Sequence, residues 1–483
     1  MSTINFRFIS RILGMMSLVE GAMMLLVLLV ALIYRESLFP WLITMGVFLS
    51  LGALLTYQGK GLKKKNASRR EGMLAVTSVW VLLSLVGMLP FLLSGVTTHP
   101  LDAFVETVSG FTTTGATVFS QVEDFPRSLL FWRSLIQWQG GLGIVVFTVA
   151  LIPIFGGGAS QIYNAETTGI THDRFLPRIS DVAKCLWGIY LLETILLVAL
   201  LWLGPMNFFE AICHAFTCIS TGGYSTRDAS IAAFDSAYLE YVLSAFMFIG
   251  SLNITLVYFA VSGKPKRLLE DEEFRFFTSF VLLIIVITMV WLMVQSEYAT
   301  LESNFRHALF MVLSLGSSTG YTISDVTLWG PFFWMLALLL MFANGCAGST
   351  SGGLKASRFM VLLKNLYNEF KKQIHPHLLT PVLINGRQLS ISYVHQVLAF
   401  CVLYVALIFI GATLLMLDNN GFVSSISIAC SAISNSGPGI GQYAMGIGEA
   451  GDFTKAILCF LMIAGRLEVF TVIGILTPYY WKR

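Results

Sequence analysis

Phe111-Thr-Thr-Thr-Gly-Ala-Thr117 is the stretch on which the fold turns, because close relatives of it return three times along the chain. They are Ser220-Thr-Gly-Gly-Tyr-Ser-Thr226, Ser317-Ser-Thr-Gly-Tyr-Thr322 and Asn435-Ser-Gly-Pro-Gly-Ile-Gly441. The copies align without gaps when counted back from Gly115, Gly223, Gly320 and Gly437. Three positions before them stand Thr112, Ser220, Ser317 and Ser434, and six before stand Ser109, Thr217, Ser314 and Ser431. Twelve before stand Ala103, Ala211, Ala308 and Ser425, and fifteen before stand Pro100, Phe208, Phe305 and Phe422. Each copy ends a short apolar run, near 101–114, 207–222, 303–319 and 422–436. Such a run has room for a helix of about a dozen residues, about 18 Å long, or half a bilayer.

The setting of these runs is a membrane. The 483 residues are 56% hydrophobic and 12% charged, with 37 Phe and 10 Trp, and the mean hydropathy is +0.76. Globular chains are about 45–50% apolar and about 25% charged, so an ordinary soluble protein is excluded. Long apolar segments lie near 12–33, 38–57, 73–95, 130–155, 185–204, 237–261, 276–296, 330–346, 391–416 and 453–477. Each approaches the roughly 20 residues a span needs. The apolar start has no small-residue cleavage site and is expected to be a span, not a removed signal. A net charge of +3 gives no reason to expect nucleic acid. The seven cysteines, Cys185, Cys213, Cys218, Cys346, Cys401, Cys430 and Cys459, show neither paired spacing nor neighbouring His, so disulfides and zinc are not expected.

Positive charge sorts by side. Lys60, Lys63, Lys64, Lys65, Arg69 and Arg70 fill the loop 58–72, and Arg174, Arg178 and Lys184 the loop 156–184. Lys264, Lys266, Arg267 and Arg275 follow, then Lys355, Arg358, Lys364, Lys371, Lys372 and Arg387, and finally Lys482-Arg483. The opposite loops carry only Arg35, Arg127, Arg133, Arg227, Arg306 and Lys455. The bias predicts that both termini and the basic loops are cytoplasmic.

Non-helical backbone at membrane depth survives only inside protein or along a water-filled cavity. Taken singly, each hydroxyl-rich stretch is explained by small residues that let helices pack closely. Four in register read instead as extended strands around one axis, their carbonyls replacing the hydration shell of a cation. Short helices ending toward that axis add the negative ends of their dipoles. The expected fold is therefore all-α and polytopic. Four tandem span–pore helix–span repeats surround one ion pore, preceded by two extra transmembrane helices. The expected boundaries are 1–72 for the leading helices and basic loop, then 73–182, 183–272, 273–388 and 389–483 for the repeats.

At these residues the sequence resembles the Trk/Ktr/HKT superfamily of potassium transporters, nearest its bacterial TrkH branch, whose two leading spans it shares. Gly345-Cys-Ala-Gly-Ser-Thr-Ser-Gly-Gly353 and Gly465-Arg-Leu-Glu-Val-Phe470 extend the resemblance over nearly the whole chain. It implies a K⁺ selectivity filter with one strand per repeat. The residues would be Thr113, Thr114 and Gly115; Thr221, Gly222 and Gly223; Ser318, Thr319 and Gly320; and Asn435, Ser436 and Gly437, with Gly222 or Gly223 as the aligned glycine. K⁺ would be the bound substrate. A Ser at position 115 would have argued for a Na⁺-permeable relative. The resemblance also implies a homodimer in the bacterial inner membrane and a cytosolic TrkA-type subunit, which would bring in NAD or ATP. The cytoplasmic loops themselves are too short to bind nucleotide.

The run 342–353 is too rich in Gly and Ser for a lipid-facing helix and should face the cavity beneath the filter. It resembles the family's intramembrane gating loop, with Gly345, Gly348, Ser349, Thr350, Gly352 and Gly353 as its flexible residues. Arg466 lies in the last span, where ionisable groups face the protein interior. It should set an electrostatic barrier in the pore and bond the loop's carbonyls. Glu468, two residues on, should face about 200° away on a continuous helix and bond backbone or a hydroxyl. His375-Pro-His377 reads as a turn, and Gly156-Gly-Gly158 lacks the Lys-Ser/Thr of a phosphate loop. No nucleophile–base pair is legible, which leaves an intramembrane enzyme without support. Coupling to Na⁺ or H⁺ stays open.

Overall fold

The computed structural model describes residues 4–60, 68–143, 179–378 and 380–482. The protein is all-α and polytopic apart from two pairs of two-residue strands. Six described helices are long and apolar enough to cross a membrane, or up to eight if each of two bent pairs counts as one span. The four short apolar runs are helices Pro100–Phe111, Phe208–Ile219, Leu301–Gly316 and Phe422–Ser434. Their starts are specified locally. Asn207 with Glu210, and Thr300 with Ser303, form reciprocal capping boxes, and Pro100 occupies a first-turn position that needs no N–H donor.

The leading helices, Phe6–Ile33 and Phe39–Gln58, form an antiparallel hairpin. Glycines make the close approach possible: a Cβ on Gly14 would lie 2.5 Å from Thr56 N, and one on Gly52 would lie 3.0 Å from Gly14 O. The hairpin also completes the helix Arg127–Gly141, whose N-cap is Pro126 and supplies no side-chain acceptor. Glu36, in the hairpin turn, accepts the N–H groups of Arg127 at 2.6 Å and Ser128 at 2.9 Å. A carboxylate there satisfies donors the helix leaves open and opposes its dipole.

The helix from 330 stops at Phe342, as the Gly- and Ser-rich run 342–353 predicts, and Ala343–Asn344 pairs in parallel with Leu354–Lys355. Other expectations need correction. The segment near 237–261 is two helices, Ala237–Gly250 and Ile254–Val261, bent by 109°, and the last span breaks between Asp452–Arg466 and Val469–Leu476 by 117°. Asn253 caps the second helix of the first pair by accepting the N–H of Thr255. Glu468, with φ +65, occupies the second break. Because the helix does not run through it, the expected 200° separation from Arg466 does not arise, and Glu468 pairs with Arg358 at 2.6 Å. The lower half of the 130–155 span, Lys63, Lys64, Lys65, Gly156-Gly-Gly158, His172, Arg174, Arg178 and Arg483 lie outside the described residues.

Arg133, assigned above to a loop, is instead inside the helix Arg127–Gly141 and only 2% exposed. It pairs at 2.8 Å with Glu106, which is 0% exposed, and bonds Thr117 Oγ1 and Ser225 O, each at 3.2 Å. The pair ties the first short helix to the strand that follows the second. Removing one partner of a buried pair costs about 3–5 kcal/mol, because the other charge stays behind unpaired. Arg133→Met is therefore expected to lower the thermal midpoint of the purified protein in detergent, while Lys372→Met, whose pair with Glu369 is exposed on both sides, changes it little.

Candidate ion-conduction site

The chain leaves each short helix in the same way. Thr113, Thr221, Ser318 and Asn435, two positions before each anchor glycine, have φ of +53°, +54°, +59° and +54°. The glycines themselves, Gly115, Gly223, Gly320 and Gly437, have φ of +82°, +76°, +81° and +90°. Left-handed backbone costs roughly 1–2 kcal/mol for a residue with a side chain, so its recurrence at four non-glycine positions needs compensation. Hydrogen bonds supply it. The N–H of Thr113, Thr221, Ser318 and Asn435 donates to Gly110, Cys218, Leu315 and Ala432. The next N–H, of Thr114, Gly222, Thr319 and Ser436, donates to Ser109, Thr217, Ser314 and Ser431 at 2.8–2.9 Å. With the N–H groups turned back onto the helix ends, the carbonyls are left over. Among the described residues no donor reaches the carbonyl oxygens of Thr113, Thr114, Thr221, Ser318, Thr319, Asn435 or Ser436. All seven residues are fully buried.

The four strands close a ring. A Cβ on Gly115 would fall less than 3.0 Å from Gly222 O, one on Gly223 from Thr319 O, one on Gly320 from Ser436 O, and one on Gly437 from Thr114 O. Each glycine thus abuts the carbonyl that precedes the anchor glycine of the next repeat. Gly223, not Gly222, takes the anchor place. Hydroxyl pairs brace three strands from behind: Thr112–Thr114 at 2.8 Å, Ser317–Thr319 at 2.7 Å and Ser434–Ser436 at 2.9 Å. Two tyrosines, unremarked above, lock neighbours together. Tyr224 donates to Glu106 O at 2.8 Å and Tyr321 to His214 O at 3.0 Å, the matching position of the preceding short helix in both cases.

This geometry has counterparts among known proteins. Residues 40–477 match the TrkH family model, described as cation transport protein. The chain belongs to the TrkH family. It is 36% identical to the Trk system potassium uptake protein TrkH of Vibrio parahaemolyticus, over 99% of this chain and 100% of that one. Identity to TrkH of Escherichia coli K12 is 36% with the same coverage, and to TrkG of that organism 33% with both chains fully covered. The crystal structure of the potassium transporter TrkH from Vibrio parahaemolyticus superposes with a TM-score of 0.89 at 34% identity, covering 99% of this chain and 100% of that one. As expected of a TrkH relative, the protein is a multi-pass membrane protein.

The loop between Asn344 and Leu354 packs beside the ring. Gly352 N donates to Ser318 Oγ at 2.9 Å, and Asn344 Nδ2 to Ser434 O at 3.2 Å. Thr350 Oγ1 donates to Ile219 O and Gly250 O at 3.1 and 3.0 Å. Arg466 Nη1 donates to Thr350 O at 2.8 Å, and Nη2 to Gly140 O and Gly141 O. The expected bond from Arg466 to the loop is therefore present. Ser349 Oγ bonds Cys346 O and Ser351 Oγ within the loop. Gly345 leaves room for Ser351 Oγ, while Gly348 and Gly353, at φ +76° and +71°, turn against Asn253 and Asn344. Glu273, on the helix Glu272–Val294, holds both ends of the loop: its Oε1 accepts from Ala347 N at 2.6 Å and Ser357 N at 3.0 Å.

Hydrogen bonds to a charged group are worth about 1.5–3 kcal/mol, so losing the Glu273 carboxylate should favour loop opening by about tenfold or more. In a chain retaining Cys346 as its sole cysteine, Glu273→Ala is expected to raise the maleimide-labelling rate of that buried thiol.

Proposed function

We propose that this chain takes up K⁺ through a pore lined by the four strands, conducting ions down their electrochemical gradient. The observation that carries this reading is the set of seven buried carbonyls, drawn from all four strands, that no described donor reaches. Buried carbonyls ordinarily have partners, and a ring of backbone oxygens is suited to replacing the water around a monovalent cation. The four short helices end beside it, adding partial negative charge. Thr113, Thr114 and Gly115, with Thr221, Gly222 and Gly223, Ser318, Thr319 and Gly320, and Asn435, Ser436 and Gly437, form the K⁺ filter. The relatives named as potassium uptake proteins give the same ion, and the activity is transport, not catalysis. Gly115 in the first strand favours K⁺ over a Na⁺-permeable variant.

The boundaries 73–182, 183–272, 273–388 and 389–483 divide the pore into its four repeats, with 1–72 outside it. The loop with Gly345, Gly348, Ser349, Thr350, Gly352 and Gly353 is the gate beneath the filter, and Arg466 holds it closed while placing a positive charge in the ions' path. The protein lies in the bacterial inner membrane with both termini in the cytoplasm, in keeping with its basic loops. It acts as a homodimer with a cytosolic TrkA-type subunit, which supplies nucleotide control through NAD or ATP.

The decisive experiment is ⁸⁶Rb⁺ uptake into proteoliposomes, with the regulatory subunit present. Competition by K⁺ and not by Na⁺ is expected, and equal competition would overturn the K⁺ filter. Gly115→Ser places a side chain against Gly222 O and should lower the K⁺/Na⁺ preference on the order of tenfold, the ratio of inhibition constants being the readout. Arg466→Ala removes a charge and the tie to Thr350, so single-channel current at fixed voltage should rise; an unchanged current would reduce Arg466 to a packing element.

A further inference from the structure

The second strand lacks a part that the other three possess. Immediately before the anchor glycine stand Thr114, Thr319 and Ser436, whose hydroxyls bond the hydroxyl two residues earlier. The second strand has Gly222 there, and Ser220 Oγ keeps only the bond to Thr217 O at 3.3 Å, which Ser317 and Ser434 also make, to Ser314 O and Ser431 O. Gln137, fully buried on the helix Arg127–Gly141 of the preceding repeat, occupies the gap. Its Nε2 donates to Gly222 O at 2.7 Å, and its Oε1 accepts from Tyr224 N at 3.1 Å. A carbonyl on one side and an N–H on the other leave only one orientation of the amide that satisfies both. The side chain thus bridges the two peptide groups flanking Gly223. A Cβ on Gly222 would lie 2.5 Å from Gln137 Cδ and 2.6 Å from its Oε1. The absence of a side chain at 222 and the presence of the amide at 137 are therefore one arrangement.

The corresponding helices show that the amide is not a general feature. Gly140, Gly250 and Gly465 each face the side chain two before the anchor glycine of their own repeat, Thr113, Thr221 and Asn435 respectively. Three residues before these glycines stand Gln137, Met247 and Met462. The polar residue occurs on the helix beside the strand that has no hydroxyl immediately before its anchor glycine, and apolar methionines stand at the other two positions.

We propose that Gln137 is a specificity-determining positioning residue, its amide setting the carbonyl of Gly222 and the turn at Gly223 so that the second strand matches the other three. The inference rests on the reading of the strands as a K⁺ filter. A buried amide making two backbone bonds holds the peptide groups more firmly than packing alone. Once it is lost, the strand is free to relax toward a geometry that accommodates a smaller ion.

The test compares four variants with the unmodified protein in proteoliposomes with the regulatory subunit, reading the ratio of Na⁺ to K⁺ inhibition constants for ⁸⁶Rb⁺ uptake. Gln137→Met conserves volume and is expected to fold, lowering that ratio by about tenfold. Gly222→Ser alone should lower it as well, because the new Cβ strikes the amide. Gln137→Ala combined with Gly222→Ser makes room for the Cβ and supplies the hydroxyl the other strands have, so the ratio should recover toward that of the unmodified protein. Unchanged selectivity in Gln137→Met, or a double variant no better than Gly222→Ser, would overturn the assignment. Gly115→Ser separates the two readings. If it too leaves selectivity intact, the filter reading has failed; if it lowers selectivity while Gln137→Met does not, only the role of Gln137 has.

Discussion

Everything in this protein is arranged around the contact of four glycines with four carbonyls. Gly115, Gly223, Gly320 and Gly437 each stand where a Cβ would collide with the backbone of the next strand, so a ring this narrow can be closed only by residues without side chains. The φ values compound the requirement, since all four lie where a Cβ also strains its own peptide. A closed ring of extended backbone inside a membrane must then satisfy its N–H groups without using its carbonyls. The recurring bonds to Ser109, Thr217, Ser314 and Ser431 do this. The short helices are thus acceptors for the strands as well as sources of a dipole.

The surrounding structure supports those strands from outside. Glu106 and Arg133 join the first short helix to the second strand, Tyr224 and Tyr321 join successive repeats, and Asn435 Nδ2 donates to Thr114 Oγ1 at 2.9 Å to join the last repeat to the first. The leading hairpin joins this scheme through Glu36, which caps the helix that carries both Arg133 and Gln137. A segment outside the ring therefore fixes the position of side chains that touch it.

What the sequence made legible follows from the same physics. The anchor glycines and their hydroxyls could be found by counting, because sterics allow no substitute at those places and the repeats keep their spacing. The run 345–353 was equally legible, since that many Gly and Ser residues cannot sustain a span. The breaks after Gly250 and Arg466 were not. Ser251-Leu-Asn253 and Leu467-Glu468 interrupt hydropathy too briefly to register, and their bends are fixed by distant partners such as Arg358. Gln137 and Glu273 were invisible for a related reason. Each is a single polar residue at a helical position, and its meaning depends on backbone atoms that lie 85 and 74 positions away.

The same distinction separates the pore's two working parts. The ring is held by bonds between neighbouring backbone segments and by glycines that admit no alternative. The loop from Asn344 to Leu354 is held by a few side chains: Glu273 and Arg466 grip its backbone from two different helices, and its own Thr350 bonds the carbonyls of Ile219 and Gly250. Releasing such a loop requires exchanging a small set of hydrogen bonds for water, whereas opening the ring would break the backbone bonds that offset the left-handed conformations in all four strands at once. Arg358 strengthens the contrast: it follows the loop directly in the helix Ala356–Ile374 and pairs with Glu468 at the bend of the last span. A displacement of the helix after the loop would pull on the segment that carries Arg466. Motion is therefore easiest where one side-chain network joins the loop, the Ala356–Ile374 helix and the last bend, and most costly in the ring that has to discriminate between ions.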